Sequence, residues 1–248
     1  RDGNPNITPE ITQAAVVLQV GHAIRTTIAA MDQLRQVLSV STRIVGATPE
    51  LLTSVAADLE NIPEFEQRFL RLNQQEPYRL KATAIAHRLA FTRNRHAVGG
   101  PHVPGRDYAN SAALIADLTL MRDSLFAHRG ELIATGLLER TIRSIAAFGL
   151  THATLDIREH SDAHHKLLQQ VMPSGYLELS HSDKFPILIQ ALAATTAIKT
   201  DSLDAAAQKT FDTFKAIDDL IGRFGSEVIE TYIVSMTKGA DDLIAAAV

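Results

Sequence analysis

Residues 154–165 read TLDIREHSDAHH. A short apolar run ends at Arg158, and acidic residues and histidines follow at once. The run predicts a buried strand near residues 151–157, and the pattern after it predicts a helix that continues to about Val171. A strand followed directly by a helix is the repeating unit of parallel α/β sheets. The stretch therefore predicts a strand that presents an arginine at its carboxyl end.

A second strand–helix unit lies in ETYIVSMTKGADDLIAAAV, residues 230–248. Its strand is predicted near residues 231–236, with Ser235, Met236, Thr237 and Lys238 at the carboxyl end. Two such units cannot close a barrel of eight strands. Residues 149–248 are therefore predicted to form either a minor sheet in a helical domain or part of a larger barrel.

Residues 1–148 are predicted to be mainly helical. Apolar residues recur at helical spacing from Ile11 to Leu38, which predicts one long amphipathic helix ending near Ser41. The triplet Thr48-Pro49-Glu50 has the features of a helix start. Further helices are predicted from residue 63 to 72, from residue 77 through a basic run, and over residues 109–128, 137–148, 187–194 and 205–224.

The composition is that of a globular protein: the chain has 248 residues, 46% of them hydrophobic, and a formal net charge of −4. This charge argues against a nucleic-acid partner or an anionic membrane surface. No uninterrupted apolar stretch approaches the ~20 residues that cross a bilayer, so no membrane partner is expected. The absence of cysteine excludes disulfides and fits a reducing cytoplasm. Because the chain begins at Arg1, both ends are expected to be cuts within a longer protein.

Arg158 is the first candidate binding residue, because active sites of parallel barrels form at the carboxyl ends of strands. A guanidinium offers a planar fork of donors that suits phosphate or carboxylate oxygens. The competing interpretation is an ion pair with Asp156, Glu159 or Asp162 that merely closes the strand. Local features alone favour this second interpretation.

Histidines and a basic run provide weaker candidates. His160 and His164 have the i, i+4 spacing at which two imidazoles on a helix share one zinc ion, and His165 adjoins them. The glutamate of that zinc motif is missing and no third ligand is evident, so a hydrogen-bonded histidine cluster is favoured. The run Arg93-Asn94-Arg95-His96 has the charge to bind an anion, but it also complements the negative end of a helix. The helix-end interpretation is favoured.

Three stretches resemble the phosphoenolpyruvate carboxylase family. They are RDGNPNITPEIT (residues 1–12), FGLTHATLDIREHSDAHH (residues 148–165) and YIVSMTKGADDLIAAAV (residues 232–248). The pieces ATPELL, EPYR, PGRDY and DSLFAHRGELIATGLL fit between them, so the resemblance covers essentially the whole chain in collinear order. The spelling REHSDAHH together with PGRDY is most similar to the actinobacterial branch of the family.

The resemblance implies a large, cytoplasmic, mostly helical enzyme with a few parallel strands from a partial (β/α)8 barrel, of which this chain is an internal segment. Such enzymes join phosphoenolpyruvate and bicarbonate to give oxaloacetate and phosphate, which feeds the tricarboxylic acid cycle. They use Mg²⁺ or Mn²⁺ and proceed through carboxyphosphate and the enolate of pyruvate. The family is usually homotetrameric.

The resemblance also assigns roles to particular residues. Arg158 occupies the position of the arginine that binds the substrate phosphate. A loop near the barrel mouth, expected to support the site, is matched by Arg1, Asp2, Gly3 and Asn4. Glu159 and His160 stand where Gln and Glu are common in the family, so no role is carried over to them.

The family's catalytic histidine, catalytic lysine, acidic metal ligands and glycine-rich loop match nothing in this sequence. The chain is therefore expected to contain no catalytic residue and no metal ligand, and to be inactive when isolated. The competing interpretation is a free-standing, non-catalytic helical interaction module derived from the enzyme.

Overall fold

The structure, a computed structural model, describes residue 4, residues 6–194 and residues 202–248. Arg1, Asp2 and Gly3 of the expected supporting loop lie outside the described residues. The chain divides into two compact units. One is the helical unit, Val17–Ala153, and the other is the strand unit, Arg1–Val16 with Thr154–Val248.

Helices account for the ordered structure between residues 9 and 148, as the periodicity predicts. The predicted cap of the second helix is confirmed, because the Thr48 hydroxyl accepts a hydrogen bond from the Leu51 N–H and Pro49 opens the helix. The backbone is non-helical at Gly136, and this kink lies just before the helix that ends at Phe148. The elements are α1 (Pro9–Val37), α2 (Pro49–Asn61), α3 (Gln67–Leu72), α4 (Pro77–Val98), α5 (Ser111–Ala127), α6 (Glu131–Ile133), a π-helical segment (Ala134–Leu138) and α7 (Glu139–Phe148).

The first helix, α1, is long and apolar. Polar residues interrupt α1, yet by length and composition it could cross a membrane, with a mean hydropathy of 1.3 over an 18-residue window that is 33% buried. Core helices of globular proteins meet the same criteria. Ile24, Met31 and Leu34 of α1 are completely buried, as expected for such a core helix.

A buried ionic cluster lies inside the helical unit. The Lys81 ammonium on α4 is 2.7 Å from the Asp58 carboxylate and 2.8 Å from the Asp117 carboxylate. Arg88 lies 2.6 Å from the second oxygen of Asp117, and the Tyr108 hydroxyl also donates to that carboxylate. Lys81 is only 1% exposed, so its charge depends on these partners rather than on water. The cluster links α2, α4 and α5.

The strand unit contains two parallel strands and the helices between and after them. The predicted helix over residues 205–224 is confirmed at both ends. The elements are β1 (Leu155–His160), α8 (Ser161–Gln169), a 3-10 turn (Tyr176–Glu178), α9 (His181–Ala194), α10 (Ala205–Phe224), a second 3-10 turn (Ser226–Val228), β2 (Ile229–Ser235) and α11 (Ala240–Ala245).

The predicted end of the first strand at Arg158 is wrong. β1 continues to His160, and His160 pairs with Ser235 of β2. A parallel ladder joins backbone groups, so the change from apolar to polar side chains does not end it. The predicted beginning near residue 151 is also too early. Residues 151–153 form a turn in which His152 has a positive φ of 64°, and the strand starts at Leu155.

The two faces of the strand pair differ in exposure. Asp156 and Arg158 of β1 pair with Thr231 and Ile233 of β2, and all four side chains are exposed. Ile157 points to the opposite face and is 4% exposed. Among the described residues, the face that carries Arg158 is therefore the uncovered one.

Asp204 caps α10, the helix that leads into β2. Its carboxylate accepts hydrogen bonds from the Ala206 and Ala207 N–H groups at 3.0 and 2.9 Å. These bonds, that from Ala207 above all, together with one from the Gln170 side chain, lower the pKa of Asp204.

We expect Asp204→Asn to remove an acid-sensitive part of the stability. Asn is an equally good N-cap, so the substitution isolates the charge. Because the folded pKa is lowered, the ionised carboxylate stabilises the protein above the unfolded value of ~3.9, and this is lost as pH falls through the folded pKa. Thermal unfolding should show the original protein more stable at neutral pH, with the difference closing in acid. A difference that does not change with pH would contradict the assignment.

Candidate anion-binding site at the strand ends

Arg158 is the cation of the candidate site. It lies near the carboxyl end of β1 and pairs in register with Ile233 of the neighbouring strand. Its side chain is exposed on the uncovered face of the strand pair. A guanidinium placed in this way can present two parallel N–H donors to the oxygens of one phosphate or carboxylate group.

Serine hydroxyls tie the ends of the two strands together. The Ser235 hydroxyl at the end of β2 donates to the Glu159 carbonyl at 3.1 Å. The Ser161 hydroxyl, directly after β1, donates to the Met236 carbonyl at 3.2 Å. Met236 has a positive φ of 58°, a backbone conformation that a methionine adopts at some energetic cost. The chain leaving β2 is thus fixed beside the end of β1.

The buried Asp242 also binds the segment that follows β2. Its carboxylate accepts the Lys238 N–H at 2.6 Å and the Gly239 N–H at 3.1 Å, and its other oxygen is 2.9 Å from His165 Nε2. The second nitrogen of His165 lies 2.8 Å from the Tyr176 hydroxyl. Burial alone would raise the pKa of Asp242, but these hydrogen bonds outweigh it and the pKa is lowered. Asp242 is therefore a buried, ionised carboxylate.

The buried Asp241 pairs with a second histidine, His181, whose side chain is 50% exposed. Both of its carboxylate oxygens lie within 2.9 Å of His181 Nδ1 at the start of α9. A Cβ atom on Gly239 would collide with the Asp241 carboxylate, so the glycine allows this close approach. The tandem acids 241 and 242 thus connect α11 to α8 and α9.

The comparisons with known proteins identify the family. The sequence matches the phosphoenolpyruvate carboxylase family over residues 1–248. The chain belongs to this family. The predicted resemblance is therefore confirmed at the level of the family, and the closer likeness to the actinobacterial branch stays a prediction.

Individual phosphoenolpyruvate carboxylases align with almost the whole chain. Those of Roseiflexus castenholzii and Gloeobacter violaceus are 33% and 31% identical over 99% and 98% of it. That of a Synechococcus species is 30% identical over 98% of the chain. The chain spans 28%, 28% and 25% of the length of these three proteins, about a quarter of each.

The structure does not bring His160 and His164 together as a zinc site. His160 caps α8, and its Nδ1 accepts a hydrogen bond from the Asp162 N–H at 3.1 Å. His164 is buried with Nε2 2.8 Å from the Tyr232 hydroxyl, and burial lowers its pKa. The hydrogen-bonded interpretation of these histidines fits both arrangements.

One group among the described residues has the composition of a metal site. Potential ligand atoms of His165, Asp241 and Asp242 lie within 4.8 Å of one another, and all three residues are buried. A catalytic metal keeps a position open for water or substrate. This group does not fit that requirement, because both ring nitrogens of His165 and both oxygens of Asp242 already have hydrogen-bond partners.

Sequence reasoning missed the pair Asp241 and Asp242. The signal was the doublet of acids shortly after the second predicted strand, since acids at a helix start accept backbone N–H groups. Their distant partners, His165 and His181, could not be read from spacing. His165, which completes the cluster, directly follows His164, one of the two histidines that the i, i+4 spacing selected.

The two remaining candidates are Asn4 and the basic run of residues 93–96. Asn4 is exposed, and its side-chain oxygen accepts the Asn6 N–H at 3.0 Å in a local turn, so its supporting role stays a prediction. In the basic run, Arg95 donates to the Tyr108 carbonyl at 2.8 Å at the end of α4. Because Tyr108 lies outside α4, this contact does not test the helix-end interpretation, which stays a prediction.

Proposed function

We propose that the intact protein carboxylates phosphoenolpyruvate with bicarbonate, giving oxaloacetate and phosphate, and that Arg158 binds the phosphate group of phosphoenolpyruvate. The observation that carries the proposal is the exposed guanidinium near the carboxyl end of a parallel strand, in a chain of the phosphoenolpyruvate carboxylase family. Parallel α/β enzymes bind their substrates at this edge.

Arg158 would act by electrostatics and positioning. In the proposed reaction the phosphoryl group leaves phosphoenolpyruvate for bicarbonate, which gives carboxyphosphate and the enolate of pyruvate. Carbon–carbon bond formation then yields oxaloacetate and releases phosphate. The guanidinium would hold the phosphoryl oxygens through both steps, and fixed donors of this kind stabilise charge without reorganising.

We also propose that β1 and β2 are two neighbouring strands of a larger barrel. The strands are parallel, and helices follow each of them. A buried residue, Ile157, points to one face of the pair, whereas Asp156, Arg158, Thr231 and Ile233 are exposed on the other. In a (β/α)8 barrel the outer face carries helices and the inner face lines the barrel, which agrees with this asymmetry.

In this proposal, the metal ion and the subunit assembly are features of the full-length enzyme. A divalent cation, Mg²⁺ or Mn²⁺, would stabilise the enolate when bound, with ligands outside residues 1–248. Phosphoenolpyruvate and bicarbonate would be the partners of a cytoplasmic homotetramer. The buried cluster of His165, Asp241 and Asp242 would have a structural part, because its polar atoms are engaged with one another and with backbone N–H groups.

The function is tested by measuring oxaloacetate formation by the full-length protein. Product should require phosphoenolpyruvate, bicarbonate and a divalent cation together, and inorganic phosphate should appear in equal amount. The 248-residue chain alone should form none. Absence of oxaloacetate from a folded full-length protein under these conditions would overturn the proposal.

A further inference from the structure

Side-chain hydrogen bonds hold both ends of the loop Met236–Gly239, which we call the β2 loop. The Ser161 hydroxyl donates to the carbonyl of Met236 at one end of the loop. The Asp242 carboxylate accepts the N–H groups of Lys238 and Gly239 at the other end. The loop leaves β2 next to the end of β1, where Arg158 stands two residues before the strand ends.

The anchors of the loop lie in the interior of the strand unit. Asp242 is 3% exposed and His165 is 5% exposed. The hydrogen-bonded chain runs from the loop N–H groups through Asp242 and His165 to the hydroxyl of Tyr176, which is also buried. Burying a carboxylate is unfavourable unless every lone pair that it directs inward finds a donor. This chain supplies those donors, so the position of the carboxylate is well determined.

The loop itself is under conformational constraint. Met236 is in the left-handed region, with φ of 58°, although its side chain is 64% exposed. An exposed methionine has no packing reason to adopt this conformation, so the surrounding hydrogen bonds impose it. Backbone strain held by a buried network is typical of positions whose geometry serves a binding site.

We propose that Asp242 and His165 are positioning residues of the phosphate site: they fix the β2 loop, and through Ser161 and Ser235 the end of β1, in the geometry that aims Arg158 at its ligand. This inference rests on the proposed function of Arg158. Neither residue touches the substrate in this arrangement. They act through the backbone of the loop and the two serine bridges.

The test compares Asp242→Ala with Asp242→Asn in the full-length protein. Alanine removes the acceptor for both loop N–H groups, and we expect KM for phosphoenolpyruvate to rise about 10-fold through misplacement of the site. Asparagine keeps a carbonyl oxygen for the loop and should hold KM within about 3-fold of the original value. KM for bicarbonate should change less than KM for phosphoenolpyruvate in both variants.

A matched control separates positioning from general damage to the fold. Asp58→Ala also removes a buried, hydrogen-bonded carboxylate, but in the ionic cluster of the helical unit. Loss of stability lowers the fraction of active enzyme, which reduces the apparent kcat and leaves KM unchanged. We therefore expect Asp58→Ala to lower the melting temperature without raising KM for phosphoenolpyruvate.

Three results would overturn the inference, and they are distinguishable. If Asp242→Ala leaves KM unchanged while Arg158→Ala raises it, the positioning role fails and the phosphate site stands. If Arg158→Ala also leaves kcat/KM for phosphoenolpyruvate unchanged, the proposed function of Arg158 itself is wrong. If the purified protein retains one equivalent of metal after dialysis and Asp242→Ala loses it, the cluster of His165, Asp241 and Asp242 is a cation site instead.

Discussion

Replacing Arg158 by alanine in the full-length protein is expected to lower kcat/KM for phosphoenolpyruvate by about 10²–10³-fold, the range for loss of a fixed donor to a charged transition state. Arg158 is exposed on the uncovered face of β1, so its removal leaves no cavity in the interior. The melting temperature should therefore change little. Steady-state kinetics with phosphoenolpyruvate as the varied substrate, together with thermal unfolding, measure both parts of the expectation.

Lysine at position 158 should recover only a small part of the loss. A lysine ammonium supplies the charge but not the planar pair of donors that a guanidinium offers to two phosphate oxygens. Arg140→Ala on α7 is a suitable control, because it removes an exposed arginine of the helical unit. If Arg158 only closed the strand through an ion pair, Arg158→Ala would lower the melting temperature and leave kcat/KM unchanged. That pattern would remove Arg158 from the site.

The order of elements could be predicted from the sequence because it depends on local signals. Periodicity located helices such as α10, and Thr48 with Pro49 marked the start of α2. The two strands followed from short apolar runs bounded by turns. The end of β1 could not be predicted, because His160 continues the strand by pairing with Ser235, a residue far along the chain.

The candidate site likewise contains one residue that the local sequence indicated and two that it did not. Arg158 stood out locally by its place after an apolar run, although the resemblance to the family was needed to favour a binding role. Asp242 and His165 are separated by 77 positions and meet only in the folded chain. Spacing pointed to His160 and His164 instead, because a helical rule was applied across the boundary between β1 and α8. His160 lies in the strand and caps the helix, so the two rings are not presented as a pair.

The buried ionic cluster of the helical unit was also beyond local reasoning. Lys81 lies near the start of α4, where nothing in the local sequence indicates burial, and lysine is among the residues least often buried. It becomes buried because Asp58 of α2 and Asp117 of α5 converge on it, with the Ser54 hydroxyl as a further partner at 2.7 Å. Burial raises the pKa of Asp58 even though Lys81 opposes that shift. The carboxylate thus depends on its cationic neighbours to stay charged.

Replacing Lys81 by methionine, which has a similar length and no charge, is expected to destabilise the helical unit by about 3–5 kcal/mol, the range for breaking a buried ion pair by removing one partner. Among the described residues, Arg88 would then be the cation left beside Asp58 and Asp117, at 3.6 and 2.6 Å. Their mutual repulsion in the interior would then oppose folding. Hydrogen–deuterium exchange of α2, α4 and α5 in the full-length protein should show the loss of protection locally.

Arg143→Ala is the matched control for Lys81→Met, because it breaks an i, i+4 ion pair with Glu139 in which Arg143 is 77% exposed. Exposed helix pairs contribute only about 0.3–0.5 kcal/mol, so exchange in α7 should barely change. Adding Asp58→Asn to Lys81→Met should recover part of the lost protection, since it removes one of the two buried carboxylate charges that Lys81 had neutralised. Equal effects of Lys81→Met and Arg143→Ala would mean that water reaches the cluster and that its charges are solvated. The buried contacts around Lys81 predict instead that Lys81→Met causes a much larger loss of protection in α4 than Arg143→Ala causes in α7.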